Sequence, residues 1–294
     1  MEFFLQLVLN GVVVGSIYSL VALGFVIIYK SSGILNFAQG EFLLLGAYVF
    51  LAIASMHAPL YAALLLTFAF AAILGIVLER VVLRPLIGEP IISVIMVTLG
   101  LSSVLRAIVQ GIWGTDTRPL PAVFSLDPIR LGPLPVARGY VYSAASVAVL
   151  LVLLTAFFKY ARPGIAMRAT ADSQQVALSM GISVRRIFAL SWSIAAMVSA
   201  AGGVLLGTMR GGVDGSLAVL GLKVLPVVIV GGLDSIGGAI LGGLLIGILE
   251  NLSGGYLDPI FGGGVKEVAP FVALVLILMI RPYGLFGKVR IERV

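Results

Sequence analysis

Residues 60–78, L-Y-A-A-L-L-L-T-F-A-F-A-A-I-L-G-I-V-L, decide the solvent in which this chain folds. The stretch has no charged residue, and eleven of its members are Leu, Ile, Val or Phe. At roughly 0.3 to 0.6 kcal/mol each, these residues favour insertion into a bilayer by about 3 to 7 kcal/mol. The length also suits the hydrocarbon core of a membrane. The stretch therefore predicts a transmembrane helix.

The composition of the whole chain extends this prediction to all 294 residues. Hydrophobic residues make up 60% of the chain and charged residues only 11%, whereas soluble domains carry roughly 25% charged residues. The mean hydropathy is +1.16. We predict an all-α fold, a polytopic membrane helical bundle of eight or nine transmembrane segments that forms a single domain over residues 1–294.

The predicted spans alternate with short polar connections. Seven of them have clear limits: residues 3–29, about 40–56, 60–78, 91–112, 140–160, 187–208 and 268–280. Gly11, Gly15 and Ser19 predict close packing of the first span on another helix, because small residues let helices approach in lipid. Residues 217–229 contain Lys223 and Pro226, so this stretch is compatible with a spanning helix or with a broken or re-entrant one, followed by a span over about 239–252.

The basic residues orient the bundle. Twelve of the nineteen Lys and Arg fall on one side, which the positive-inside rule assigns to the cytoplasm: Lys30, Arg80, Arg84, Lys159, Arg162, Arg168, Arg185, Arg186, Arg281, Lys288, Arg290 and Arg293. This predicts an external N-terminus and a cytoplasmic C-terminus. It also places the Pro-rich loop 113–139 outside and the polar stretch 161–186 inside. Because the basic residues lie between spans rather than in one patch, the net charge of +6 does not indicate a nucleic-acid partner.

The stretch 161–186 holds four arginines in an otherwise apolar chain. One short helix is predicted over residues 165–180, because Pro163 and Gly164 precede this segment and Gly181 follows it. Four apolar positions fall near one face by helical spacing: Ile165, Ala169, Val176 and Met180. Such a face suits a socket on a soluble partner and equally a helix that rests on the lipid surface.

The sequence argues against an enzyme. It has no cysteine and one histidine, His57, at the end of a predicted span, so neither a metal centre nor a catalytic triad is indicated. The phosphate-binding pattern G-x-x-x-x-G-K-S/T does not occur. We expect no cofactor, and any coupling to ATP requires another polypeptide.

Three groups of polar residues are candidates for a path through the membrane. Asn36, Gln39 and Glu41 lie where a short non-spanning segment meets the second span, where they either line a cavity or cap that span. Arg106 lies within the fourth span and either snorkels outward or pairs inside the bundle. Glu250 and Asn251 suggest an intramembrane network with Arg106. Asp234, between glycines, indicates a tight turn.

Four motifs carry a resemblance to a known family. They are G-I-L-N-F-A-Q-G-E at residues 33–41, A-x-x-D-x-x-x-A-x-x-x-G-I at 169–182, G-G-L-D-S-I-G-G at 231–238 and R-P-Y-G-L-F-G at 281–287. The motifs occur in the order expected for this family and span nearly the full length of the chain. The chain therefore resembles the branched-chain amino acid permease family of ATP-binding cassette importers, in particular its LivH-type membrane subunit. The stretch 161–186 resembles the coupling loop of such permeases.

The resemblance implies a set of partners. These are a LivM-type permease subunit, two cytoplasmic ATPase subunits and a periplasmic solute-binding protein, assembled at a bacterial inner membrane. It implies that Arg168, Asp172, Gln175 and Val176 contact the ATPase, although A-T-A-D is a loose version of the E-A-A motif of other importers. The cargo implied is leucine, isoleucine, valine or a related amino acid, and relatives carry other amino acids, amides and urea.

A second function stays open from the residues themselves. Glu41, Arg106 and Glu250 together with the Gly- and Pro-containing segment after residue 217 are features that stand-alone secondary transporters use near the membrane midplane. A secondary transporter or channel for small polar solutes is therefore the alternative.

Overall fold

The computed structural model describes residues 1–120, 128–131 and 134–287, and in this part of the chain the architecture is a helical bundle with two small antiparallel sheets. The helices are α1 Glu2–Ser32, α2 Gln39–Ser55, α3 Leu60–Leu78, α4 Ile91–Trp113, α5 Arg138–Tyr160, α6 Arg162–Asp172, α7 Gln174–Ser179, α8 Val184–Arg210, α9 Ser216–Gly231, α10 Ile236–Tyr256, α11 Asp258–Phe261 and α12 Val265–Ile280. The strands are β1 Arg118–Pro119, β2 Pro128–Leu131, β3 Leu134–Ala137 and β4 Gly212–Val213.

Long helices connect two ends of the bundle. We call the end that holds the C-terminus of α1 together with α6 and α7 the basic end. Helices α1, α3, α5, α9 and α12 run toward the basic end, and α2, α4, α8 and α10 run away from it. The N-terminus thus lies at the opposite end and residues 281–287 at the basic end, so the two lie at opposite ends of the bundle.

Six helices of the described chain are long and apolar enough to cross a membrane, and α2 and α9 are shorter apolar helices. The hydrophobic run at 60–78 coincides with α3. The other predicted spans differ from their helices by at most four residues at each end, since an apolar run does not mark the exact first and last residue of a helix. The membrane helical bundle is confirmed.

Helices α1 and α8 form the centre of the bundle, whereas α3, α4 and α5 are largely exposed on its surface. Glycines bring α1 and α10 into backbone contact, since a Cβ atom on Gly11 or Gly15 would collide with the backbone around Gly243 and Gly247. The Ser19 hydroxyl donates across this interface to the carbonyl of Ile240 at 2.7 Å. The close packing predicted for the first span is confirmed.

Helix α9 is continuous, with Pro226 inside it, rather than broken near Lys223. Its first turns lie within the bundle, where Gly221 packs directly on Gly40 of α2. Pro226 is buried among neighbouring protein, which is the setting that tolerates proline at membrane depth. At its N-terminus, Asp214 accepts the backbone N–H of Ser216 at 2.8 Å, and hydrogen bonds with Ser216 lower the pKa of this carboxyl.

The polar stretch differs from its prediction. Two helices, α6 and α7, replace the single predicted helix over 165–180. They meet at Ser173, whose extended backbone (φ −158°, ψ 114°) ends the first helix. Its hydroxyl accepts the N–H of Val176 at 3.3 Å, because serine favours this N-cap geometry over a helix interior.

The Pro-rich loop forms extended structure where the structure describes it. β1 pairs with β4, and β2 pairs with β3 as a hairpin. Proline is compatible with such extended structure and disrupts the interior of a helix. Pro121 and Pro133 of this loop lie outside the described residues, as do Lys288, Arg290 and Arg293 of the predicted basic set.

Candidate transport pathway and coupling surface

The first residues of α2 lie inside the bundle rather than at its surface. Residues 33–38 turn back after α1, so that the side chain of Gln39 contacts Gly24, eight residues before the end of α1. Eight residues correspond to about 12 Å of helix. The non-spanning segment expected before the second span is therefore present.

Asn36 and Gln39 hold this turn together. Asn36 accepts the N–H of Ala38 at 3.0 Å and donates to the side-chain oxygen of Gln39 at 3.0 Å. Gln39 donates in turn to Ser199 of α8 at 2.6 Å. Both side chains are fully enclosed and fix the loop before α2, whose N-cap residue Ala38 has no side-chain cap.

Glu41 and Arg106 form an ion pair between α2 and α4. Arg106 donates to one carboxylate oxygen of Glu41 at 2.6 Å through a terminal nitrogen and at 3.0 Å through Nε. Ser102 lies 3.4 Å from the same oxygen. Of the two alternatives for Arg106, pairing inside the bundle is the one that the structure shows.

The two members of this pair differ in exposure. The side chain of Glu41 is 2% exposed and that of Arg106 is 37% exposed. The second oxygen of Glu41 is buried and has no hydrogen-bond partner among the described residues. A charged group at membrane depth faces a bundle interior or a water-filled cavity rather than lipid. The surface around Arg106 thus requires protein or water beside it.

Glu250 belongs to a separate group of charges. It lies 3.8 Å from the ammonium group of Lys223, which also forms an ion pair with Glu267. Tyr18 of α1 lies beside Glu250. The cluster therefore joins four helices, α1, α9, α10 and α12.

The suggested network of Glu250, Asn251 and Arg106 is wrong. Arg106 pairs with Glu41, Glu250 pairs with Lys223, and Asn251 donates to the carbonyl of Gly247 in its own helix at 2.9 Å. Sequence reasoning missed Lys223 and Glu267 as members of a cluster. Their signal was available, because Lys223 interrupts an apolar run and such a charge needs a partner.

The proposed ATPase-contacting residues all lie on the surface of α6 and α7. Arg168, Asp172, Gln175 and Val176 are exposed. Val176 is accompanied by two further exposed apolar side chains, Leu178 and Met180. Opposite this surface, Met167 and Ala177 are buried and anchor the two helices to the bundle. The pair thus presents an apolar patch with polar neighbours at the basic end.

Helices α6 and α7 contact the end of α1 directly. The side chain of Gln174 donates to the carbonyl of Ser31 at 3.3 Å, which satisfies an unpaired group at a helix C-terminus. Met167 and Arg168 line a narrow crevice with Lys30 and Ile236. These residues place α6 and α7 beside the end of α1 and the start of α10. Gln174 was not singled out from the sequence.

Two of the quoted motifs meet at the basic end. Leu285 and Phe286 donate backbone N–H groups to the carbonyls of Val230 and Gly231 at 2.8 and 3.1 Å. Gly284 has φ 76° and approaches Ile229 so closely that no side chain fits. Asp234 lies in the turn between α9 and α10, as predicted.

His57 lies exposed just beyond α2 with φ 60°, as expected for a residue at a helix end. Within the described residues, no group of three or more His, Cys, Asp or Glu side chains could hold a metal ion.

Comparison with known proteins decides the family. The family model described as "Branched-chain amino acid transport system / permease component" matches residues 7–281. The chain belongs to this permease family. Its members are components of multi-subunit transport systems, and the match confirms the resemblance carried by the four motifs.

Curated relatives align with the permease from end to end. It is 32% identical to the high-affinity branched-chain amino acid transport system permease protein LivH of Escherichia coli K12, with 99% of this chain and 98% of that protein covered. It is equally 32% identical to BraD of Pseudomonas aeruginosa over the same shares. A probable LivH of Methanocaldococcus jannaschii is 29% identical, covering 96% and 92%.

The fold also resembles a solved structure. The structure "PsaBC from Streptococcus pneumoniae in complex with Fab" aligns with a TM-score of 0.50 and 17% identity, covering 93% of this chain and 90% of that one. At this identity the likeness concerns the fold alone. The permease is a multi-pass membrane protein and a transport subunit, and the alternative of a stand-alone transporter is not favoured.

Proposed function

We propose that this permease forms, with a second LivM-type permease, the membrane pathway of an ATP-driven importer for branched-chain or related amino acids. The observation that carries the proposal is the family match over residues 7–281. The relatives are named for branched-chain amino acid transport. A periplasmic solute-binding protein delivers the cargo at a bacterial inner membrane, and two cytoplasmic ATPase subunits supply the energy.

The pathway runs along the surface formed by α2 and α4. Arg106 supports this placement, because its partly exposed guanidinium cannot face lipid. Glu41 holds Arg106, whereas Asn36 and Gln39 fix the start of α2 beside it. Glu250 acts at a distance from this surface, through Lys223 of α9, a helix that packs on α2.

The cytoplasmic side is the basic end, and the ATPases dock on α6 and α7. Arg168, Asp172, Gln175 and Val176 contact the ATPase. The exposed apolar side chains beside them favour insertion into a socket on the ATPase over exposure to solvent. ATP-driven closure of the ATPase pair moves α6 and α7. Through Gln174 and Met167 this motion reaches α1 and α10.

The test reverses two charges on α6 in the assembled transporter. Arg168→Glu with Asp172→Lys should abolish co-purification of the ATPases and lower ATP-dependent uptake at least about tenfold, since misplaced like charges at an interface cost several kcal/mol. Arg80→Glu with Glu89→Lys is the matched control, because both residues are exposed at the same end outside α6 and α7.

Two outcomes would contradict the proposal. Normal ATPase binding and uptake in the α6 variant would remove the docking role of these residues. Uptake by this chain alone in proteoliposomes, driven by an ion gradient without ATPases, would instead establish a secondary transporter.

A further inference from the structure

A groove on the surface of α5 opens toward α10. It has a volume of about 540 Å³ and is lined by successive turns of one helix face. The lining residues are Ala148, Leu151, Val152, Thr155, Ala156, Lys159 and Tyr160 of α5, with Ile240 of α10. Apart from Lys159 and Tyr160 in the last turn of α5, every lining residue is apolar or a threonine.

The length of the groove along α5 matches the thickness of one lipid leaflet. From Ala148 to Lys159 it follows eleven residues of α5, or about 16 Å at 1.5 Å per residue. Half of a hydrocarbon core of about 30 Å is nearly the same length. A transmembrane helix from another protein would need contact over both leaflets, so the dimensions favour an acyl chain.

The mouth of the groove is positively charged. The ammonium group of Lys159 lies 5.3 Å from the centre of the Tyr160 ring, and Arg162 follows at the start of α6. Among the described residues neither Lys159 nor Arg162 forms an ion pair. Both cations therefore remain available to an anion at the membrane surface, where tyrosine is also a common anchor.

A second crevice between α3, α5 and α8 provides the contrast. Its two adjoining cavities, of about 420 and 380 Å³, share Phe68, Leu150 and Ala201, and no charged residue lines either of them. An acyl chain there would find no group that distinguishes one headgroup from another. The combination of an apolar groove and a basic mouth occurs at α5 and α10.

We infer that an anionic phospholipid binds in this groove, with an acyl chain along α5 and its phosphate group on Lys159 and Arg162. Basic pockets between transmembrane helices at the cytoplasmic surface bind anionic headgroups in this manner. Since Arg162 is the first residue of α6, the lipid contacts the helix pair that we propose as the ATPase docking site. The lipid site itself does not depend on that role.

The test measures lipid binding to the full-length, delipidated chain by native mass spectrometry. Phosphatidylglycerol and phosphatidylcholine are titrated separately, with inorganic phosphate as a competitor. One phosphatidylglycerol should bind about 25-fold more tightly than phosphatidylcholine, because each of two cations near the surface contributes about fivefold. Inorganic phosphate should not displace it, since the acyl chain provides part of the affinity.

Three variants separate the parts of the site. Lys159→Gln with Arg162→Gln should remove the preference for phosphatidylglycerol. Ala156→Phe should fill the groove and lower the binding of both lipids. Arg80→Gln with Arg186→Gln removes the same charge from exposed positions at the same end and should leave the preference unchanged. Size-exclusion chromatography identifies any variant that has not folded, and the two charge variants decide the outcome without Ala156→Phe.

Several results would overturn the inference. Equal affinity for the two lipids would do so, as would an equal loss of preference in the two charge variants. The chain has no cysteine, so a single Thr155→Cys variant can report what covers the groove. Cross-linking of that cysteine to the second permease in the assembled transporter would show a subunit interface in place of a lipid.

Discussion

At the residue scale, the Glu41–Arg106 pair shows how a charge is accommodated in this bundle. Sixty-five positions separate the two residues, and each is unfavourable alone at membrane depth. Their pairing offsets part of that cost, while the remaining exposure of Arg106 requires a polar environment on the outer side of α4. The pair is therefore both a structural contact and the strongest polar marker of the proposed pathway.

Removing the cation should be costly. We expect Arg106→Gln to lower the free energy of unfolding by about 2 to 3 kcal/mol, because it leaves Glu41 buried without its partner; the partial exposure of Arg106 keeps the effect below that of a fully buried pair. Thermal unfolding in detergent measures this change. Ser103→Ala, at an exposed hydroxyl on the same helix, should stay within about 0.5 kcal/mol.

The double variant Glu41→Gln with Arg106→Gln completes the cycle. It should recover most of the lost stability because no charge remains buried. If the double variant is as unstable as the sum of the two single variants, the pair does not interact in the membrane and its assignment is wrong.

At the element scale, glycine and serine decide where helices touch and end. On α10, Gly247 lies against the backbone of Gly15, whereas Gly237 has no atom within 4 Å of where its Cβ would be. From the sequence alone, Gly237 and Gly247 cannot be distinguished. Packing makes one of them essential and leaves the other neutral.

The two glycines should respond differently to the same substitution. Gly247→Ala should destabilise the permease by about 1 to 3 kcal/mol through overpacking at the α1–α10 contact. Gly237→Ala should be neutral or stabilise by up to about 1 kcal/mol, since alanine is the better helix former. Thermal unfolding of both variants checks the pair, and equal effects would refute this account of the packing.

The break between α6 and α7 depends on Ser173. Ser173→Ala should destabilise the start of α7 by about 1 kcal/mol, because the N-cap acceptor for Val176 is lost. Hydrogen exchange of residues 174–179 reports this directly. Ser179→Ala removes a hydroxyl that bonds only to its own helix, at Gln175, and should leave exchange unchanged; similar protection in both variants would mean that Ser173 does not hold the break.

At the scale of the whole molecule, the charges around Lys223 connect helices that are distant in sequence. Lys223 on α9 pairs with Glu250 on α10 and Glu267 on α12. The C-terminal segment holds the end of α9 through the carbonyls of Val230 and Gly231. Helix α9 is thus held near its middle, by Lys223 and by packing on α2, and again at its C-terminus.

Loss of Lys223 should loosen this arrangement. We expect Lys223→Met to destabilise the permease by about 3 kcal/mol, because the buried Glu250 loses its counter-charge. Adding Glu250→Gln should restore most of that loss. Lys266→Met, one residue from Glu267 but with no ion pair in the described structure, is the control, and thermal unfolding together with uptake by the assembled transporter provides the measurement. An unchanged melting temperature in Lys223→Met would exclude a structural role for the cluster.

The sequence by itself determined the membrane helices and the family. Transfer of an apolar run from water to lipid depends on composition along a continuous stretch, so residues 60–78 could be assigned without knowledge of their neighbours. The motifs at residues 33–41, 169–182, 231–238 and 281–287 likewise carried the family without coordinates. Helix ends were less accurate, because they depend on caps such as Ser173.

Only the tertiary structure decided which polar residues meet. Arg106 pairs with Glu41 rather than Glu250, and Lys223 rather than Asn251 is the partner of Glu250. Hydrophobicity is a property of each segment, but an ion pair between helices requires the packing geometry of the entire bundle. For the same reason, the sequence showed that residues 161–186 are polar, while the fold determined that Met167 and Gln174 attach them to the bundle and that Val176 and Met180 remain exposed.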